Sequence, residues 1–247
     1  MKYFILLLCF VGTLSANKYR EIYKYETNYM YSIGLSTQSF LFDHPAINTM
    51  FFDNIEDYIE GGSFDGAQSG LDLRVTYILP QNEKIHLTGG LDYTFLSSKE
   101  QYTISNSSVT NYKHKINLIS PYVGAYYRIF RIPLANTNIY FGPELKFNMI
   151  RNGEFQYEIQ NILDKNKTLI IDDYIKDDAF RVGGLLRLGA EGGLNKEIGI
   201  NVSVALHWVN MIGSDDSYGE LFTIAGNEAS EVNLFLFNFN ISLFYRK

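Results

Sequence analysis

Eight stretches of this chain alternate apolar and polar residues one for one, and that repetition constrains the fold more than any other feature of the sequence. Successive side chains of a strand point to opposite faces, so each stretch predicts a strand with one greasy and one polar face. The stretches are Met30 to Phe40, Gly70 to Leu79, Ile85 to Leu96, about residues 117–129, Asn138 to Met149, Arg181 to Leu194, Ile198 to Trp208, and Asn233 to Lys247. Each is close to the ~9–11 residues that a tilted strand needs to cross a hydrocarbon core. One such run says little; eight of compatible length point to an all-β fold, an eight-stranded antiparallel up-and-down transmembrane β-barrel.

The faces say which side is outside. The apolar face holds Leu, Ile, Val and aromatic residues without a mid-strand charge; in the last run it is Phe235, Phe237, Phe239, Ile241, Leu243 and Tyr245. The polar face carries Asp72, Arg74, Asp92, Arg128, Glu144, Lys146, Arg187 and Glu191, interleaved with Gly34, Gly90, Gly124, Gly142, Gly183, Gly189 and Gly199. Glycine inside a solvated strand only weakens it. In a narrow lumen the missing side chain leaves room for an arginine from across the barrel. Charges of both signs, nearly balanced, are what buried groups need if they are to pair. The eight charged residues are therefore expected to form a lumen network. The apolar face is expected to meet lipid, where a midplane Arg or Lys would cost ~2–4 kcal/mol. Tyr77, Tyr93, Phe95, Tyr127, Trp208, Phe235 and Tyr245 fall toward run ends, the place of interfacial aromatics. The competing arrangement is a secreted, soluble lipocalin-like barrel with the same apolar residues inside. Its charged face should be rich in Lys and Glu and poor in glycine, which is not the pattern here.

The connections alternate as well. "PQNEK", "RIPLANT" and "NKE" are short, whereas residues 41–69, 97–116, 150–180 and 209–231 make long joins. Short periplasmic turns and long extracellular loops are the plan of outer-membrane barrels. Within the third long join, "EFQYEIQNIL" and "KTLIIDDYI" alternate too, which predicts a hairpin rising above the membrane. Pro121 and Pro143 fall inside the fourth and fifth runs, where each removes a ladder donor and a closed barrel offers no edge. The two runs are neighbours across a short turn, so the prolines are expected to share one bulge or kink.

The first residues, "MKYFILLLCFVGTLSA", join one cation, an apolar run and small residues at Ser15 and Ala16. This predicts a signal peptide over 1–16, a short periplasmic N-terminal segment over 17–29, and the barrel over 30–245. The one cysteine, Cys9, lies in that leader, so disulfides do not hold the barrel. No later stretch reaches the ~18 consecutive apolar residues of a spanning helix. The net charge of −6 argues against a nucleic-acid partner, which wants a basic stripe.

With leader, runs and loop plan in place, the texture "SPYVGAYYRI" and "NIYFGPELKF" resembles small outer-membrane β-barrel proteins of Gram-negative bacteria. It is similar to the porin-family barrel domains of Bacteroidota-type bacteria. The resemblance implies an outer-membrane location, insertion by the barrel assembly machinery, and outer-membrane lipid and lipopolysaccharide as surroundings. Such families typically end on an aromatic residue; here Arg246 and Lys247 follow Tyr245.

Three functions follow from different physical premises. An eight-stranded lumen is just wide enough for side chains to fill it, so inward Tyr122, Tyr126, Tyr140, Arg128 and Arg187 predict a plugged, monomeric barrel acting through its outer loops in surface interaction or envelope structure. The alternative is a narrow porin-like channel, with the lumen charges as selectivity elements. A lipid-modifying enzyme would need a His, a Ser and a carboxylate near the outer rim. Of His44, His86, His114 and His207, the last shares a face with Ser203 and makes the best pair. Neither catalytic nor metal-binding nor cofactor residues are expected. The acidic loop residues Asp53, Glu56, Asp57, Glu60, Asp172, Asp173, Asp177, Asp178, Asp215, Asp216 and Glu220 match no calcium-loop pattern and read as solvated surface.

Overall fold

The computed structural model describes residues 28–41, 48–50, 58–60, 64, 66–105, 108–132, 136–161, 168–176, 178–213 and 233–247. The expected leader, most of the segment before the barrel, His44, Asp53, Glu56, Asp57, Asp177, Asp215, Asp216 and Glu220 lie outside the described residues. The strands are β1 (Tyr29–Leu41), β2 (Asn48–Met50), β3 (Tyr58–Glu60), β4 (Gln68–Ile78), β5 (Ile85–Ser105) and β6 (Ser108–Ile132). They continue with β7 (Thr137–Asn161), β8 (Thr168–Lys176), β9 (Ala179–Gly193), β10 (Ile198–Ile212) and β11 (Phe235–Arg246). Eight of them close into a barrel in the order β1, β4, β5, β6, β7, β9, β10, β11 and back to β1, every neighbour antiparallel. The β2–β3 pair forms a separate ladder, and β8 adds to β7.

The register fixes the barrel's shape. From Ile150 the row of partners runs through Leu118, Thr94, Gly70, Ser36, Asn240, Ser203 and Gly189. It returns to β7 at Tyr140, ten residues from its start. A climb of ten residues at ~3.3 Å, against a girth of eight strands at ~4.8 Å, sets a tilt of about 40°. A strand so tilted rises about 25 Å between Ile198 and Trp208, the height of a hydrocarbon belt.

The burial pattern decides the polarity. Outward positions are exposed and apolar, with Leu35 at 72%, Ile33, Val123, Leu206 and Leu243 near half; inward positions are buried, and Lys146, Asn148 and Asn240 stand at 0%. Among the described barrel residues, the outward face between its aromatic ends carries no Asp, Glu, Lys or Arg. Water would not tolerate so continuous an apolar surface on a monomer. The lipocalin-like arrangement is therefore inverted: this barrel is greasy outside and charged within, as a membrane-spanning barrel must be.

Two expectations need correction. Residues 97–116 are not a loop: β5 runs on to Ser105 and β6 begins at Ser108, paired almost throughout. Above the hydrocarbon neither face need be apolar, so the alternation that betrays a spanning strand vanishes. Polar cross-strand pairs take over, with Lys113 Nζ 3.5 Å from Glu158 and Lys115 Nζ 3.4 Å from Glu154. With β8 paired to the upper part of β7, these extensions form a four-stranded sheet at the long-loop end.

The prolines share no bulge. The β6–β7 register continues unchanged from Ile119–Met149 through Tyr122–Lys146 to Arg128–Tyr140, and its shifts lie elsewhere, at Lys115/Asn117 and Arg128/Phe130. Pairings at Pro121 and Pro143 are missing from this ladder, while Leu91 and Leu186 pair with them on their other sides. In an antiparallel pair a residue aims its N–H and C=O at one neighbour. Both prolines aim their missing donor into the β6–β7 seam, so each leaves a local gap without inserting a residue.

Candidate functional site in the barrel lumen

The middle of the lumen is a cross-barrel network of ions. Arg74 on β4 donates from Nη2 to Asp72 at 2.7 Å and from Nε to the Tyr122 hydroxyl at 2.8 Å. That hydroxyl in turn donates to the other Asp72 oxygen at 2.9 Å. Arg187 on β9 donates from Nε and Nη2 to the two oxygens of Glu144 at 2.6 and 3.2 Å, and from Nη1 to Ser203 at 2.9 Å. The Tyr126 hydroxyl donates to Glu144 as well. The two halves meet across the lumen, Arg74 lying 4.0 Å from Glu144 and Arg187 3.9 Å from Asp72. One row toward the long loops, Lys146 pairs with Asp92 at 2.5 Å. Three cations thus face three carboxylates, all buried, which is the balance that a low-dielectric interior demands.

Six of the eight charged residues read from the polar face come together here. The other two do not. Arg128 sits at the short-turn end, 3.8 Å from half-exposed Glu83. Glu191 is buried on β9 in register with Asn138 and Asn201, beside the Tyr140–Asn201 hydrogen bond of 3.0 Å. Two of the inward glycines, Gly90 and Gly189, serve a different neighbour than expected. A Cβ on Gly90 would strike the Tyr122 ring, and one on Gly189 the Tyr140 ring. Each ring lies over the glycine that is its own register partner, so tyrosines of adjacent strands, rather than arginines from across the barrel, fill the space.

Apolar clusters of buried residues lie at both ends of the lumen. Toward the long loops, Phe64 reaches in from the connection before β4 and packs with inward Leu96, Ile116, Leu118, Ile150 and Leu236. His114 lies against the Phe64 ring, 4.7 Å between centroids. At the short-turn end Met30, Ile78 and Phe244 form a second cluster, with the Arg246 guanidinium 4.6 Å over the Phe244 ring. Charge alternation hides these caps. Their signal in the sequence is the apolar residue that interrupts a polar face near its end, as Leu236 and Phe244 do in the last run.

His207 and Ser203 both face the lumen, but four residues along one strand separate them by about 13 Å. Ser203 is held by Arg187, and His207 Nε2 lies 3.5 Å from Asn148 Nδ2. The two make no catalytic pair. His86 stands at the short-turn end, its Nε2 3.1 Å from the Glu83 carbonyl.

All seven aromatics read as interfacial face outward. Tyr77, Tyr127 and Tyr245 stand at the short-turn end, joined there by Tyr29 and Tyr31; the Tyr29 and Tyr77 rings are 5.0 Å apart. Tyr93, Phe95, Trp208 and Phe235 stand toward the long loops, where Tyr93 donates to Asn117 at 2.8 Å and Trp208 packs on Phe235 at 5.3 Å. Two rings of aromatics bound the apolar belt. The fold is that of a small membrane-spanning β-barrel.

No protein-family model and no curated protein sequence matches the chain. Several solved structures are similar in layout. Neisserial surface protein A is 9% identical, with 89% of this chain and 97% of that one covered and a TM-score of 0.45. The outer membrane protein OprG from Pseudomonas aeruginosa is 10% identical, at 90% and 96% coverage and a TM-score of 0.46. Ail, the attachment invasion locus protein of Yersinia pestis, solved with the heparin analogue sucrose octasulfate, is 11% identical, at 90% and 99% coverage and a TM-score of 0.42. At these values nothing of their function transfers to this chain.

Proposed function

We propose that this chain is an outer-membrane barrel with a closed lumen that acts through the sheet and loops at its long-loop end, in surface interaction or envelope structure. One observation carries the reading: a balanced ion network lies between two apolar caps, so the interior is a filled core and offers no wide path to solutes. The ~25 Å belt between aromatic girdles suits a bacterial outer membrane, and long joins gathered at one end suit an exterior face. What rises there is ordered: the extensions of β5, β6 and β7, with β8, present a four-stranded sheet laced by Lys113–Glu158 and Lys115–Glu154. Lipid and lipopolysaccharide are its surroundings, and the assembly machinery its partner during insertion. The test is planar-bilayer recording on the refolded full chain. Silence at the current expected of an empty eight-stranded tube supports the reading; steady, large conductance refutes it and favours the narrow channel.

A further inference from the structure

One strip of the lumen is built unlike the rest. Along the β1–β11 seam the inward register pairs are Gly34–Ser242, Ser36–Asn240 and Gln38–Asn238, and on the β10 side Ser203 and Ala205 continue the rows. These side chains are small or neutral, whereas the arginines stand on β4 and β9 to either side and the tyrosines on β6 and β7 across the lumen. All the polar ones are at least nine-tenths buried, Asn240 and Gln38 completely. Six of their atoms have no hydrogen-bond partner: Ser36 Oγ, Gln38 Oε1, Asn238 Oδ1, both side-chain polar atoms of Asn240, and Ser242 Oγ.

Unpartnered buried groups are few in a folded protein and are seldom gathered in one place. Six together in a dry strip would carry a penalty comparable to a domain's whole stability. Their chemistry names what satisfies them. The groups are uncharged and mix donors with acceptors, which suits a small neutral ligand that can do both. We infer that the β1–β11 strip binds a file of internal water molecules, held between the Phe244–Met30 cap below and the Leu236–Phe40 pair above. The file joins the ion network at two of its rows, the middle one at Asn240 and the upper one at Gln38. Ser203, in register with Asn240, accepts from Arg187, and Gln38 donates to Asp92, whose other oxygen is itself unpartnered. The water therefore serves as the missing wall of the network. The apolar caps keep it from exchanging freely. The inference rests on the closed-lumen reading, and the two fail differently.

The experiment uses the full chain refolded in lipid nanodiscs, with water itself as the probe. Nuclear Overhauser cross-peaks are recorded between water and the side-chain amides of Asn238 and Asn240. Slowly exchanging water at both amides is the expected result. Asn240→Leu, which fits a dry strip better than the native residue, is expected to lower the urea midpoint and to remove the water cross-peak at Asn238. Phe244→Ala is expected to speed exchange of that water while leaving Asn240 hydrated; Met30→Ala reads the same cap if the first variant fails to fold. Absent water cross-peaks together with a raised midpoint in Asn240→Leu would overturn the inference, even if the barrel remains silent in bilayers. Conductance of the unmodified chain would instead refute the closed lumen, whatever the amides report.

Discussion

Glu144→Gln removes one charge from the centre of the lumen and keeps the shape of the side chain. In the folded barrel Glu144 accepts two bonds from Arg187, at 2.6 and 3.2 Å, and one from Tyr126, with Arg74 at 4.0 Å. The Glu144 and Arg187 side chains are 0% and 1% exposed, so bulk solvent and its salt do not screen the pair. The amide can still accept at one atom, but its nitrogen now faces a guanidinium that it cannot bond. The cost is that of stranding a buried cation, ~3–5 kcal/mol. Removing both partners is a different matter. In Glu144→Leu/Arg187→Met no charge is left unpaired, because Asp72 and Arg74 keep their 2.7 Å contact. A buried pair replaced by apolar residues of similar volume is often neutral or even stabilising, so the double variant should fall within ~1–2 kcal/mol of wild type. Trp208, the single tryptophan, lies on the lipid face and reports unfolding from vesicles in urea by its fluorescence. A single variant that loses less than ~1 kcal/mol, or a double variant as unstable as the single, would show that the network does not act as a closed set of charges.

The outer face has its own test. Leu35→Arg, at an outward position 72% exposed, should cost ~2–4 kcal/mol by the same assay, and Tyr245→Arg at the girdle no more than about 1 kcal/mol; equal costs would contradict the position of the belt. Pro143→Val restores a donor to the β6–β7 seam, so its new amide should be protected in hydrogen exchange and stability should rise by ~0.5–1.5 kcal/mol. Rapid exchange at that amide would mean the seam is open for a reason other than the missing N–H.

What was legible in the sequence is what the bilayer imposes. Period-two alternation survives wherever one strand face touches hydrocarbon, and there the eight runs and both faces could be read directly. Above the membrane that pressure lifts. Residues such as Lys113, Lys115, Glu154 and Glu158 then look like loop composition, although they pair across strands. The proline gaps were visible as gaps, but which seam they open depends on the direction each missing N–H would take, and that follows only from register. Pairing within the lumen was legible as charge balance alone. That Arg128 drops out to Glu83, while Asp92 takes Lys146, depends on height, which the sheared register assigns and composition does not.

The departures from alternation turn out to be as informative as the alternation. A polar face that reads Leu236, Asn238, Asn240, Ser242, Phe244 is apolar at each end and polar between, and the structure puts those ends in the two caps. A conducting lumen has no reason to place buried leucine and phenylalanine at its mouths, and a merely filled one has no reason to leave three small polar residues between them. The same strand face therefore bears on both questions: its ends argue that the barrel is shut, and its middle that it is wet. Charge balance across β4, β7 and β9 explains why the network tolerates burial. The neutral strip on β1 and β11 explains why it need not be complete in side chains alone, since water can supply the remaining bonds without adding a charge.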